Sequence, residues 1–475
     1  MEWDALLQRD PGELAVALPD ESATVAELEA AARAMAGTLL DSGVEPGDRV
    51  IVALPNGVRF VAAYLATRLC GAVFVNAPWQ WRRELVAVAE ETRARCILLP
   101  AEVAGDESLR TLADRVLTGE PGARRAIAAA PMPRADGDDA WIAYSSGTTG
   151  APKGAVHTER TLGLIPEGFI DRYALGPGDP ILVAAAAGHA IGFIYGVQLA
   201  LRTGAPMVLL PRWDPEVAAA LVERHGCRWT AAPTPLLIDA VAHAERAGRN
   251  AFASLRFFLC GGAAVPAALL ARAREVMPAT ETSAYFGTSE TGAVTSCPPG
   301  TPMDKVLSTD GVPLPTMEVA LGERDELLVR GAQTARGYYG ADVAGRFRAD
   351  GWYATGDRAT IDGDGFIRLT GRVHDLIRRG GVDVAPGEVE EALAAHPAVR
   401  EAAVFALEDA RLGARVAAAV VASGAPPSLD DLREHCRGEG LAKVKWPERL
   451  VLVPELPRLP SGKLRRSALD RLIGR

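Results

Sequence analysis

The segment "YSSGTTGAPKGAVHT" (144–158) sets glycines among hydroxyl side chains and ends its loop on Lys153. Glycines let the backbone turn into φ > 0. Closely spaced N–H groups and hydroxyls then form a concave donor surface for anionic oxygens, and a lysine adds a point charge. The chemistry this points to is phosphate binding. It is not the G-x-x-x-x-G-K-[ST] nucleotide loop, because no glycine directly precedes Lys153 and Gly154 follows it. The same composition also makes plain surface loops. Three further segments carry chemistry-bearing residues. "YFGTSETG" (285–292) lines up an aromatic ring, a glycine, hydroxyls and Glu290. "GWYATGDRATIDGDGFIRLTGR" (351–372) isolates Asp357 and places Arg372 fifteen residues later. "PRLPSGKLRR" (457–466) puts Lys463 in a loop rich in turn residues. Taken singly, Asp357 also fits a turn acid, Glu290 a helix N-terminal charge and Lys463 a solvated tail lysine. "DGDGF" (362–366) lacks the later ligands and closing Glu of a calcium loop and reads as a hairpin turn.

These residues need a scaffold, and the chain spells one out. Thr24 followed by Glu27 is a capping box, Val25, Leu28, Ala32, Met35 and Leu39 recur at helical spacing, and Gly43 follows the end. "DRVIVALP", "AVFVNAP" and "CILLP" read as buried strands, with "RFVAAYLATRLCG" and "RRELVAVAEET" as intervening helices. The alternation returns at 181–260 with "ILVAAAA", "APMVLLP", "WTAAP" and "LRFFLCGG". It predicts an α/β fold with parallel sheets covered by helices. Around 310–372 shorter strands predict a β-rich subdomain, and a fresh α+β unit begins after 373. The expected organisation is a large domain over 1–372 and a small one over 373–475.

Composition bounds the rest. At 475 residues the chain is long for one core. Its net charge of −9 argues against broad nucleic-acid binding. Cys70, Cys96, Cys227, Cys260, Cys297 and Cys436 form no C-x-x-C pair and read as reduced, buried thiols. The N-terminus carries early acids and no apolar core, so no signal peptide is expected, and no apolar run approaches the ~18 residues of a membrane span. The expectation is a cytoplasmic protein whose oligomeric state is open, a homodimer included.

In their order and spacing, the four segments and the small C-terminal unit resemble the adenylate-forming superfamily of acyl-CoA synthetases, peptide-synthetase adenylation domains and luciferase-type ligases. The resemblance covers essentially the whole chain. It implies ATP and Mg²⁺ as cofactors and carboxylic acid activation to an acyl-adenylate. The acyl group would then pass to CoA foremost, or else to a carrier-protein pantetheine or a non-thiol acceptor. An inactive nucleotide-binding homologue is the contrasting class. By position, the loop of Ser145, Ser146, Gly147, Thr148, Thr149, Gly150 and Lys153 would wrap the β,γ-phosphates. Glu290 would hold Mg²⁺ and Ser289 would contact the α-phosphate. Phe286 would stack on adenine where the family usually has Tyr or Trp, Gly287 would belong to the same nucleotide site, and Gly261, Gly262 and Ala263 would cover the other face. Asp357 would accept both ribose hydroxyls, a match of acceptor to diol, and Arg372 would support the sugar. Lys463 would act from the small domain on the carboxylate and α-phosphate. Attack of one anion on another requires charge neutralisation and alignment, which these groups supply.

The acid pocket implied by the resemblance involves His189, Ala190, Phe193, Gly262 and Gly292. His189 fits equally a core histidine and a gate to that pocket. Ala190 supplies no carboxylate for a substrate ammonium, so free amino acids are disfavoured, and catechol-type acids lose ground for the same lack of polarity. "DGVPLPTMEV" and "RWDPEVAAALVERHG" look nearest the medium-chain and alicyclic acyl-CoA ligase branch. His374 stands at the family's hinge, usually Asp or Lys, and equally fits a linker residue. Gly380 and Gly381 would line the pantetheine tunnel. Arg378, Arg379, Lys443 and Lys445 are candidate partners for a CoA 3′-phosphate, or solvated charges.

Overall fold

A computed structural model describes residue 5 and residues 8–104, 106–117, 135–145, 153–247, 251–340, 345–373, 375–458 and 464–472. The expected phosphate-loop residues Ser146, Gly147, Thr148, Thr149 and Gly150, the expected hinge His374 and the expected catalytic Lys463 lie outside the described residues. The chain divides into two compact units, Met1–Glu318 with Arg330–Gly351, and Val319–Val329 with Trp352–Arg475.

In the first unit the local signals act as their chemistry dictates. Helix Val25–Asp41 starts with a capping box: Glu27 N–H donates to Thr24 Oγ1 at 3.2 Å, and Thr24 N–H donates to Glu27 Oε2 at 2.8 Å. Its Leu28, Ala32, Met35 and Leu39 are buried. Strands Arg49–Val52, Val73–Asn76 and Cys96–Leu98 pair in parallel, with Val50 opposite both Phe74 and Cys96. They belong to a seven-stranded sheet that also contains strands Asp139–Ser145 and Lys153–Thr158. A nine-stranded sheet holds Ile181–Val183, Met207–Leu209, Trp229–Pro233, Phe257–Gly261 and Glu281–Thr288, again mainly parallel. Near-continuous apolar strands of this kind need cover on both faces. Leu221, Leu237, Leu270 and Phe258 share one such core, and Leu85, Val88, Ile97 and Ile142 share another. The expected α/β class with parallel sheets, a large N-terminal part and a small C-terminal part is what the chain adopts.

The second unit is β-rich at its start. Strand Tyr353–Ile361 pairs antiparallel with Glu326–Gly331 and with Ile367–Arg372. The "DGDGF" segment is the hairpin turn it was expected to be: Asp362 Oδ1 accepts from the N–H groups of Asp364 and Phe366, both at 2.9 Å. Strands Val399–Asp409 and Gly413–Ala422 then form a long hairpin, flanked by Ile377–Arg379 and Arg449–Leu452. Helices Pro386–Ala394 and Leu429–Gly438 contribute Val389, Leu393 and Leu432 to its core. The expected division after Arg372 falls inside this unit. Helix Pro386–Ala394 packs on strand Ile367–Arg372, and Arg368 pairs with Glu391 at 2.7 Å, so the preceding hairpin joins the C-terminal elements.

Candidate active site

Two hairpins of the first unit carry residues expected to meet the phosphates. Strand Asp139–Ser145 pairs antiparallel with Lys153–Thr158, and the register sets Ser145 directly opposite Lys153. Lys153 therefore begins a strand at the point where its loop ends. The pairing needs Gly154: a Cβ there would lie 2.6 Å from Ile142 Cγ2 and 2.9 Å from the Tyr144 ring.

The second hairpin joins Glu281–Thr288 to Gly292–Ser296, and its turn presents Ser289 and Glu290. Gly292 sits at φ +63°, where a side chain would strain the backbone and meet Ile165. Within the turn Glu290 N–H donates to Thr288 Oγ1 at 3.2 Å. Other segments hold the turn from outside. Ala335 N–H donates to the Glu290 carbonyl at 2.7 Å, and Gln333 Nε2 donates to the carbonyls of Thr291 and Ala293 at 2.7 and 2.9 Å. Tyr338 donates its hydroxyl to Glu290 Oε1 at 2.7 Å. Tyr338 itself lies opposite Ala155 on the strand that starts at Lys153. Ser145, Lys153, Ser289 and Glu290 are thus brought together through strand pairing and Tyr338.

His157, on the same strand, reaches the turn from beneath. Its Nε2 lies 2.8 Å from the Ser289 carbonyl, and its ring stacks on Trp141 at 4.9 Å and 21°. Burial pushes the imidazole down to about 4, against weaker upward pulls from the Ser289 carbonyl and Glu290. It is therefore neutral, with the proton on Nε2, because a carbonyl oxygen can only accept.

The residues expected around the nucleobase fall at strand ends. Phe286 is buried beside a register shift before Gly287. Gly261 ends the adjacent parallel strand, and Gly262 follows at φ +80°, exposed together with Ala263. Carboxyl ends of parallel strands are where α/β sheets hold ligands.

His189 precedes the short helix Ala190–Gly192 and meets Trp81 edge-on at 6.0 Å. The next six residues, Phe193–Gln198, form a π-helix, a wide winding that often marks functional sites. Phe193, expected in the acid pocket, is fully buried against the rings of Tyr64, Phe74 and Trp141. It fills the core. Gly292 is likewise buried, in its turn.

In the second unit Asp357 and Arg372 are register partners, and Arg372 Nε donates to Asp357 Oδ1 at 3.0 Å. Asp357 N–H donates to Thr355 Oγ1 at 3.0 Å, which fixes the carboxylate's strand position. Gly380 and Gly381, at φ +57° and +86°, make the two-residue turn between Ile377–Arg379 and Val382–Val384, a conformation that asks for glycine at both places. Three of the four cations considered for a CoA phosphate already have carboxylate partners. Arg379 forks onto Glu448 at 2.8 and 3.1 Å, Lys445 onto Glu388 at 2.6 and 2.7 Å, and Arg378 pairs with Asp383 at 3.1 Å.

Sequence reading missed His157, Gln333 and Tyr338. The only sequence signal for the last two was the glycine-spaced run "RGAQTARGYYG" (330–340).

The fold and the family match define an adenylate-forming enzyme. The AMP-binding enzyme family matches residues 2–339, and its C-terminal domain matches residues 388–463. The chain belongs to that family. It is 29% identical to the medium-chain fatty-acid–CoA ligase of Escherichia coli (strain K12), over 100% of this chain and 90% of that ligase. It is 33% identical to the salicyl-AMP ligase / salicyl-S-ArCP synthetase of Mycobacterium tuberculosis, over 94% of this chain and 85% of that protein. The solved structure of ATP-bound MatB from Rhodopseudomonas palustris superposes with a TM-score of 0.91 at 25% identity, covering 99% of this chain and 98% of that one. No helix among the described residues is long and apolar enough to cross a membrane.

Proposed function

We propose that this chain is an ATP-dependent, AMP-forming acid–thiol ligase acting on a neutral hydrophobic carboxylic acid, with CoA as the foremost acceptor, in the cytoplasm. The observation that carries this is the Glu290 turn, locked by Tyr338 to the strand that begins at Lys153. One carboxylate plus phosphate oxygens and water is a normal Mg²⁺ donor set, so the Glu290 oxygens fit that ion. Bound there, Mg²⁺ would neutralise phosphate charge. Lys153 and the hydroxyls from Ser145 to Thr149 would hold the β,γ-phosphates, Ser289 the α-phosphate, Phe286 and the Gly261–Ala263 peptide the adenine, and Asp357 with Arg372 the ribose. Lys463 would stabilise charge where carboxylate and α-phosphate meet. His189 and Ala190 would border the acid. We assign ATP and acid binding to 1–372 and the catalytic Lys463 to a mobile C-terminal domain over 373–475, with His374 as the hinge between them and Gly380–Gly381 on the thiol path.

The acid class rests on Ala190: a bound ammonium would lack a counter-charge there. A buried polar group without a partner costs ~1–3 kcal/mol, roughly tenfold or more in specificity. Pyrophosphate exchange over a panel of aliphatic, alicyclic, aryl and amino acids, followed by mass spectrometry of the product formed with CoA, tests the reading. Exchange with hydrophobic acids is the expected result; exchange with amino acids alone would overturn it.

A second acceptor is favoured by one observation. The carboxylate pairing of Arg378, Arg379 and Lys445 leaves little free positive charge for a 3′-phosphate, which a carrier-protein pantetheine lacks.

A further inference from the structure

Behind the Glu290 turn runs a line of buried polar and aromatic side chains. The Ser289 carbonyl accepts from His157 Nε2 at 2.8 Å. His157 lies flat on Trp141, and Trp141 Nε1 donates to Asn76 Oδ1 at 2.7 Å. Asn76 Nδ2 donates onward to the Gly188 carbonyl at 3.2 Å, immediately before His189. Asn56 braces the same loop, accepting from Ala187 N–H at 2.7 Å and donating to the Ala185 carbonyl at 3.0 Å. His157, Trp141 and Asn76 are all essentially inaccessible to solvent. Three features set this apart from ordinary packing. The histidine is fully buried and gives its single N–H to one carbonyl of the turn. Its Nδ1 has no hydrogen-bond partner among the described residues, so a hydrocarbon ring would fill the space without that loss. And the line ends at backbone carbonyls on both sides, one beside Glu290 and one beside His189.

We propose that His157 is a positioning residue for adenylation: its Nε2–H fixes the Ser289 peptide, and thereby the Glu290 carboxylate, while Trp141 and Asn76 set the loop leading to His189 from the same buried frame. The inference rests on the reading of Glu290 as the metal and phosphate end of the site. A carbonyl bonded by a rigid, buried donor cannot rotate, so the next residue's side chain leaves the turn in one direction. If the donor is removed, Glu290 keeps Tyr338 but its backbone gains freedom.

Three variants separate positioning from packing. His157→Phe keeps a ring on Trp141 and removes the donor. His157→Gln keeps an N–H donor and removes the ring. Trp141→Phe keeps a ring and cuts the bond to Asn76. Binding of Mg·ATP is read by calorimetry, pyrophosphate exchange gives the acid KM, and thermal unfolding monitors the fold. His157→Phe should weaken Mg·ATP about tenfold while leaving the acid KM within about twofold. His157→Gln should bring Mg·ATP affinity back to within about threefold of wild type. Trp141→Phe should raise the acid KM severalfold and leave Mg·ATP affinity within about threefold. Wild-type Mg·ATP affinity in His157→Phe, or equal losses in His157→Phe and His157→Gln, would overturn the proposal. Should His157→Phe fail to fold, His157→Gln and Trp141→Phe still decide it, since a packing role predicts that both lower thermal stability with no split between the two ligands. Failure of the underlying reading would look different: wild type itself would bind no Mg·ATP and show no carboxylate-dependent exchange.

Discussion

Tyr338 donates its hydroxyl to Glu290 across 2.7 Å, although the two residues stand 48 positions apart in the chain. The contact joins the strand pair that begins at Lys153 to the turn that carries the carboxylate. Hydrogen bonds to charged groups contribute ~1.5–3 kcal/mol, enough to hold one carboxylate orientation.

Tyr338→Phe should therefore lower kcat/KM for Mg·ATP about tenfold, with the acid KM little changed. Steady-state kinetics with each substrate varied in turn check this. Unchanged Mg·ATP kinetics would mean that the phenol only tidies the turn.

Lys463→Ala should separate the two half-reactions. Loss of a donor that stabilises developing charge costs ~3–4 kcal/mol, or 10²–10³ in rate, so pyrophosphate release should nearly cease. Transfer from chemically supplied acyl-adenylate should stay within about tenfold of wild type. A folded variant that loses both halves together, as judged by circular dichroism, would show that Lys463 is no step-specific catalyst.

The acceptor can be probed by removing one phosphate. Glu448 is held below the usual carboxylate range, chiefly by its hydrogen bond to Arg379, so that pair stays charged at neutral pH. With Arg378 and Lys445 also paired, dephospho-CoA should serve within about threefold of CoA, since little free charge is left to read the 3′-phosphate. A loss beyond tenfold would show that these cations leave their carboxylates for the ligand.

The cysteines give a pH test of the cores. Burial pushes Cys70 and Cys227 up to about 12 and Cys96 and Cys297 up to about 11, and it raises Cys260 and Cys436 as well. A raised thiol is protonated below its pKa, so at pH 8 roughly one part in a thousand or less of the four numbered thiols is thiolate. Native protein should take up almost no maleimide-type reagent at pH 8 over minutes, and the denatured chain should react at all six positions. Rapid native labelling at any of them, located by peptide mass mapping, would contradict the buried environment.

Much of this was legible because it is local. Runs such as "VIV" and "FFLCG" have no reading other than buried strand or short buried helix, and their flanking glycines and prolines settled which. Thr24 and Glu27 announced a helix start that the structure reproduces bond for bond. What stayed hidden is long-range. Lys153 turned out to open a strand because Ser145 is its register partner, a fact about pairing that no single segment contains. Tyr338 and His157 look like ordinary strand residues until the turn they hold is placed beside them. Phe193 sat in a promising sequence neighbourhood, yet its ring completes an aromatic core with Tyr64, Phe74 and Trp141. Gly380 and Gly381 drew attention for ligand chemistry, and hairpin geometry alone already requires them.

The wide winding of Phe193–Gln198 has a consequence for how such a protein can change. A turn closed by i→i+5 bonds holds one residue more than an α-turn. Deleting a single residue there lets the backbone relax to ordinary winding, and helix Leu199–Thr203 keeps its place. Because the turn had absorbed the surplus residue locally, the residues that lead on from His189 would keep their facing relative to that helix. Chain length at this one point can thus vary by a residue, available to evolution in one indel and without rebuilding either sheet.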